Sequence, residues 1–329
     1  MTTLTLAKHH GLGNDFLILL DLDGSTPIDA AVARALCDRH LGIGADGLIR
    51  ATRAAGSGVR APAPGSDRAE GGGGPAGDGG AGAISGVYTA EIAPGPDGGG
   101  GIGVRAADGV RPAALTFELR NADGSPAEVS GNGIRCLAHA ALDAGVVEAG
   151  RPFVVATPAG PRTVTVRPGD GPTRAWASVE MGPARVIDGD SDRCNVGHGQ
   201  LRVDMGNPHL VVLGPNPAMV AVGELGPELE TRVPGGQNVE FVALGPGPDE
   251  LTMRVWERGV GETLACGTGA CAAVVALAQW GRVGRRVTVH QPGGDAVVEL
   301  RPDREVVLAG PTVRIARCRA EVEAAVVAV

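Results

Sequence analysis

Leu115, Phe117 and Leu119 alternate with other residues along LTFELRNADG, and Leu251, Met253 and Val255 do the same along LTMRVWERGVG. Period-two alternation predicts a strand with one buried face. Each run then passes through a glycine-rich turn to a Gly-x-Gly corner: Ser130-Gly131-Asn132-Gly133 in one, Cys266-Gly267-Thr268-Gly269 in the other. After the first corner, Ile134, Leu137, Ala138, Ala141 and Leu142 recur at helical spacing, with Gly145 as the C-terminal cap. After the second, GACAAVVALAQW is apolar almost all round. That pattern predicts a helix buried on every side and closed by Gly281.

The two stretches are one pattern written twice. Residues 115–133 align without a gap on residues 251–269, at an offset of 136. A second match, HGLGNDFLIL (10–19) with DMGNPHLVVL (204–213), sets Asn14 opposite Asn207 at an offset of 193. The offsets differ by 57, close to the length of residues 54–112, a stretch that includes GGGGPAGDGGAG and APGPDGGGGIG. Two similar halves, the first carrying an insertion, account for both offsets. The insertion shows no sustained periodicity. It is expected to be mostly disordered and on the surface, with one weak strand near Ile84–Ile92, and to be dispensable over about residues 58–108.

Composition narrows the partners. The chain has 329 residues, 43% of them hydrophobic but only 2% aromatic, so the core must be aliphatic. The net charge of −8, without a run of Lys or Arg, argues against nucleic acid or an anionic membrane as partner. No apolar run approaches membrane-spanning length, and MTTLTLAKHHGLGNDF lacks the apolar core of a signal peptide. The six cysteines are scattered with no Cys-x-x-Cys pair, so neither a disulfide framework nor a zinc site is expected. A reduced, cytoplasmic enzyme is the expectation, and a homodimer is left open.

A Gly-x-Gly turn that opens a helix presents free N–H groups and the positive end of the helix dipole, a site for a carboxylate. Two such corners facing across a cleft would hold one small molecule between Ser130 and Cys266. A helix end can depress a thiol pKa, giving Cys266 a usable thiolate. Two proton carriers on opposite faces of one carbon are what a racemase needs. Each feature alone has a plainer reading. Cys266 reads as a small buried residue, Ser130 as an N-cap, His209 as a satisfied core histidine, Glu257 and Arg258 as a surface ion pair, and Asn207-Pro208 as a turn. GIGADG (42–47) matches the dinucleotide fingerprint but follows a helical stretch where the motif needs a strand, so no nicotinamide site is expected. The register of these features within the repeat carries the argument.

Together, HGLGNDF (10–16), DRHLGIGADG (38–47), RNADGSPAEVSGNGIRC (120–136), DMGNPHL (204–210), GGQNVEF (235–241), WERGVGETLACGTGACAA (256–273) and QPGG (291–294) resemble the diaminopimelate epimerases. The resemblance implies an α/β (α+β) fold of two pseudo-symmetric domains. Each is a curved, mostly antiparallel sheet wrapped round a central helix, with the active site in the cleft between them. The expected division is 1–184, then 185–312, with 313–329 returning to the first domain. It implies interconversion of LL- and meso-2,6-diaminopimelate, toward lysine and peptidoglycan, with no cofactor and no metal. Cys266 matches one of the family's two acid/base cysteines. Gly131, Asn132, Gly267 and Thr268 match the helix ends that hold the reacting carboxylate. Asn14, Asn121, Asn207, Asn238, Glu257 and Arg258 match substrate contacts, and His209 and Glu257 match groups that assist the cysteines.

Two positions depart from the family's pattern. Gly47 stands where a glutamine is usual, which removes one substrate contact. Ser130 stands where the second cysteine is usual, and an alcohol is a far weaker acid than a thiol, which titrates near about 8.5. Ser130 therefore needs a helper, with Glu128, His209 and Glu257 as candidates; Cys136 lies too far along the helix to replace it. Two other functions stay open: an amino-acid racemase or epimerase of the proline or hydroxyproline kind, and a non-catalytic binder of amino diacids.

Overall fold

The structure is a computed structural model that describes residues 2–54, 89–94, 100–106, 109–112, 114–187, 199–214 and 216–322. The chain begins with β1 (Thr2–Gly11), β2 (Asn14–Leu20), α1 (Ala30–Cys37) and β3 (Gly47–Ala51). Next come β4 (Thr89–Pro94), β5 (Gly100–Ala106) and β6 (Gly109–Pro112). The first half continues with β7 (Leu115–Thr116), β8 (Glu118–Asn121), β9 (Pro126–Ala127) and α2 (Gly131–Asp143), then β10 (Phe153–Thr157), β11 (Gly160–Pro168) and β12 (Arg174–Pro183). The second half runs through β13 (Arg185–Ile187), β14 (Gly199–Asp204), β15 (Pro208–Leu213), α3 (Val222–Glu230) and β16 (Asn238–Leu244). It ends with β17 (Glu250–Glu257), β18 (Gly261–Thr263), α4 (Gly267–Gln279), β19 (Arg286–Gln291), β20 (Gly294–Leu300) and the long β21 (Glu305–Val322).

The halves repeat one topology. In the first, β9-β8-β3-β2-β1-β21-β12-β11-β10-β7 are paired in that order, antiparallel except at β2–β3 and β10–β7. In the second, β13-β14-β15-β16-β17-β19-β20-β21 are paired, antiparallel except at β15–β16 and β17–β19. Each sheet packs round a central helix, α2 in the first half and α4 in the second. β21 belongs to both halves: its first residues pair with β12 on one side and β20 on the other, and its last pair with β1. The final segment thus returns to the first strand of the chain, and one continuous sheet joins both halves. No helix among the described residues is long and apolar enough to cross a membrane.

The alternating strands appear as expected. Leu115, Phe117 and Leu119 are buried, and so are Leu251, Met253 and Val255. The two helices have matched ends. Each begins on the second residue of its corner and spans 13 residues, and Gly145 and Gly281 follow in the left-handed region at φ 68° and 66°. α4 buries nearly its whole circumference, as its composition predicts. Aliphatic residues and alanine from both halves pack into one core that contains both helices.

The insertion needs one correction. β4, β5 and β6 form a three-stranded antiparallel sheet, where a single weak strand was expected. Glycines interrupt the alternation of Ile102 and Val104 and hide the pattern, whereas Asp108-Gly109 is a hairpin signal. Residues 55–88, including the first glycine run and the start of the expected strand, lie outside the described residues. The insertion departs and returns at one point, where Ala54 N donates to Ala114 O at 3.2 Å.

Leu308 of β21 is fully buried, and its Cδ2 lies where a Cβ on either Gly131 or Gly267 would stand, at 2.6 and 2.8 Å. Leu308→Ala removes this wedge beneath both helix starts. The expected loss is about 2–5 kcal/mol, read from urea unfolding with the m-value unchanged.

Candidate active site

Ser130 and Cys266 are the N-caps of α2 and α4, both in extended backbone conformation. Ser130 Oγ accepts from Gly133 N at 3.0 Å, and Cys266 Sγ accepts from Gly269 N at 3.4 Å. The two helix starts meet head to head. A Cβ added to Gly267 would lie 2.8 Å from Leu308 Cδ2 and 3.3 Å from Gly131 Cα, so glycine suits this approach. The amides of Gly131, Asn132, Gly267 and Thr268, at the first two helical positions, have no acceptor within their helices. The Asn132 side chain crosses between the corners, its Nδ2 donating to Ala265 O at 3.2 Å.

A cleft of about 1100 Å³ opens over this junction. Ser130, Gly131, Asn132, Cys266, Gly267 and Thr268 form part of its wall, as do Asn14, Asn121, Asn207, Asn238, Glu257 and Arg258. His209 does not line it. His209 is fully buried behind the wall, with Nδ1 2.7 Å from Glu240 Oε1 and Nε2 3.0 Å from Asn207 Oδ1. Asn207 in turn donates to Thr268 Oγ1 at 3.4 Å, so His209 connects to the Cys266 corner through Asn207. Asn238 holds the turn after β17, its Oδ1 accepting from Arg258 N at 2.9 Å.

The expected thiolate is corrected. Burial pushes the Cys266 thiol well above its ordinary value, and the carboxylates of Glu257 and Glu240 push it further. Contacts with Thr268 Oγ1 and Gly269 N oppose this but are outweighed. The helix end is one partial positive charge, set against loss of water and two nearby carboxylates. Glu257 is itself raised by burial, despite a hydrogen bond from Thr263 and the neighbouring Cys266. The site without ligand therefore holds a protonated thiol beside a carboxyl group of raised proton affinity.

Ser130 has no comparable neighbour. Glu128 is exposed, His209 is engaged by Glu240 and Asn207, and Glu257 by Thr263. Among the described residues none of these candidate helpers hydrogen-bonds the Ser130 hydroxyl. Cys136 is fully buried, and burial pushes its thiol up to about 12. Gly47 lies in β3 opposite Asn121, and a Cβ there would stand 2.9 Å from Arg120 O, so the local backbone suits glycine.

Several residues of the site carry no signal strong enough to be singled out from sequence. Arg39 and Asp46 line the cleft and pair at 2.7 Å, with Arg39 also on Asp15 at 2.7 Å. Gln291 Oε1 accepts from Cys266 N at 2.9 Å, and Glu240 lies beneath the start of α4. All fall inside the motif segments, but only the folded chain shows what they touch. The described His and Asp side chains with metal-ligand spacing, His9, His139 and Asp143, lie outside the cleft, and Arg314 Nη1 is 2.5 Å from Asp143.

The comparisons follow from this geometry. The sequence pattern of the family described as Diaminopimelate epimerase matches residues 87–187 and 201–315. The chain belongs to the diaminopimelate epimerase family. A diaminopimelate epimerase of Mycolicibacterium paratuberculosis is 37% identical over 324 residues, 95% of each chain, and one of Mycobacterium avium matches to the same extent. Solved structures share the fold at lower identity. A phenazine biosynthesis protein of the PhzF family from Bacillus anthracis has a TM-score of 0.64 at 12% identity, covering 98% of this chain and 100% of that one. A hydroxyproline epimerase from Agrobacterium vitis has a TM-score of 0.56 at 16% identity, covering 97% and 92%. The two-half architecture is thus shared well beyond the epimerase family itself.

A raised thiol pKa has a direct chemical readout. The fraction of Cys266 present as thiolate at pH 7–8 is expected to be far below that of a free cysteine, and to grow only at higher pH. Mass-spectrometric mapping of iodoacetamide-treated, ligand-free protein is expected to show little alkylation of Cys266 at pH 7.5, under conditions that fully label a free cysteine. Full labelling at pH 7.5 would refute the buried, protonated thiol.

Proposed function

We propose that the chain interconverts LL- and meso-2,6-diaminopimelate by proton transfer at one α-carbon, without a cofactor, in the cytoplasm. The observation that carries this reading is the junction of two helix starts, with Ser130 and Cys266 as their caps on either side of it. Relatives named diaminopimelate epimerase at 37% identity support the substrate.

In this reading the reacting carboxylate accepts hydrogen bonds from the free amides of Gly131, Asn132, Gly267 and Thr268. The Cα–H bond breaks, the proton passes to one cap, and the electron pair spreads into the carboxylate. The opposite cap then gives a proton to the other face of Cα. Aligned amides and helix dipoles stabilise the charge that develops. Cys266 reaches its thiolate by passing a proton to Glu257, which lies beside it. The distal ammonium and carboxylate are met by Asn14, Asn121, Asn207, Asn238 and Arg258. A diamino diacid needs this mixture of amide, acid and guanidinium groups.

The two caps are unequal. An alcohol protonates a carbanion readily but removes an α-proton poorly. The hydrogen facing Cys266 is therefore the one expected to exchange faster. Ser130, with a backbone amide as its hydrogen-bond partner, also favours a second reading: an epimerase-like binder impaired by loss of the second thiol.

Incubation with LL-diaminopimelate in D₂O separates these readings. Deuterium at Cα together with meso product establishes epimerisation with Ser130 as proton carrier. Deuterium in recovered LL substrate without meso product leaves Cys266 working alone. No deuterium at all refutes the reading. Cys266→Ala is expected to lower exchange by at least about 10³-fold with ligand binding retained. Ser130→Cys changes a working Ser–Cys enzyme little or for the worse, but restores activity to an impaired binder.

A further inference from the structure

Arg135 lies one turn into α2, directly behind the first corner. It is fully buried, yet no acidic side chain among the described residues forms a salt bridge with it. Its Nη2 donates to Asn132 Oδ1 at 2.7 Å, whereas Nε and Nη1 have no partner among the described residues. The guanidinium fits a slot with glycine on both sides: a Cβ at Gly11 of β1 would lie 3.4 Å from Nη2, and one at Gly310 of β21 would lie 3.4 Å from Cζ. Burial pulls Arg135 down to about 10, which still leaves it cationic at neutral pH. An unpaired buried charge is strongly unfavourable, and replacing such groups by apolar ones often stabilises a protein. A slot built by two glycines to hold one therefore calls for a counter-charge.

The surroundings identify its source. Asn132, held by Arg135, reaches across to Ala265 O, beside Cys266. Two helix N-termini converge at the same point, each with positive partial charge. A carboxylate at that junction would sit beside Asn132, the one side chain that hydrogen-bonds the Arg135 guanidinium among the described residues.

Resting on the function proposed above, we propose that Arg135 is a positioning residue for epimerisation: it fixes Asn132 across the two corners and has its counter-charge supplied by the substrate carboxylate. It transfers no proton and does not touch the substrate. When the Cα–H bond breaks, its electron pair enters the carboxylate, whose charge rises from one towards two. The attraction to Arg135 therefore grows along the reaction coordinate, which lowers the barrier more than it lowers the dissociation constant.

The test uses the full-length protein, Arg135→Met and Arg135→Lys. Arg135→Met is expected to melt no lower than the wild type without ligand, to bind diaminopimelate within about threefold, and to exchange Cα hydrogen about thirtyfold more slowly. Arg135→Lys keeps the charge and is expected to recover part of that rate. A purely structural arginine gives the reverse pattern: a lower melting temperature for Arg135→Met, with exchange per folded molecule unchanged. Equal loss of exchange in both variants also overturns the proposal, and Arg135→Lys decides the matter if Arg135→Met does not fold. Acetate provides a readout independent of the substrate. It is expected to raise the melting temperature of the wild type by about 2 °C more than that of Arg135→Met; equal shifts overturn the proposal. A wild type that leaves diaminopimelate unlabelled but shows the acetate difference refutes the substrate assignment and not the role of Arg135.

Discussion

The contact between Gly131 and Gly267 sets most of what surrounds it. Two helix N-termini carry like partial charges and do not approach each other unless the fold compels it. Here the sheet compels it. β21 runs through both halves and places Leu308 under both starts, and the absence of a Cβ on either glycine allows near contact. Once the helices are so placed, their cap residues must flank the junction. The positions of Ser130 and Cys266 on opposite sides of a common point follow from helix geometry and need no separate device.

The same burial that makes this junction electrostatically strong works against its chemistry. Removing water strengthens the attraction of amides for an anion, but it also holds the Cys266 thiol in its protonated form. In the reaction we propose, a nearby group must therefore accept the proton, and the pseudo-symmetry places candidates for that role unevenly. At the repeat offset, Glu257 in the second half corresponds to Asn121 in the first. Glu257 lies beside Cys266, whereas the Asn121 amide donates to Ser125 Oγ at 3.0 Å. The thiol half has a carboxyl group at that position. The hydroxyl half has an amide, which cannot take a proton at neutral pH. The difference at residue 130 is thus matched by one at residue 121, and the two halves share a backbone plan without sharing proton affinity.

What could be read in the sequence was what depends on neighbours along the chain. Alternation at Leu115–Leu119 and Leu251–Val255, the caps at Ser130 and Cys266, and the glycines that end both helices are local patterns, and the repeat doubled each signal. Arg39, Arg135, Glu240 and Gln291 gave no such signal. Each acts on a group fixed by another element or by a turn of helix, and an arginine in a helix reads as a solvated residue until the packing around it is known. The thiolate was misjudged for a related reason. The helix end is visible in sequence, whereas the burial that outweighs it, and the placing of Glu257 from β17 and Glu240 from β16 beside the thiol, arise only in the fold. β4–β6 were hidden by glycine, which weakens strand alternation without preventing backbone pairing.

A site assembled in this way is under electrostatic stress before anything binds. It combines two helix starts in contact, four amides without intrahelical acceptors, and a buried guanidinium with unpartnered nitrogens. Each of these is unfavourable, and no acid among the described residues pairs with Arg135 to relieve the sum. A carboxylate side chain at the junction would relieve it, but would also occupy the place of the ligand. The stress therefore has to be carried by the rest of the molecule. An aliphatic core shared by both halves and a sheet continuous through β21 are suited to carry it, because neither depends on the state of the cleft. Stability comes from the shared sheet and core, and the affinity for a carboxylate that we propose for the junction comes from what they force together.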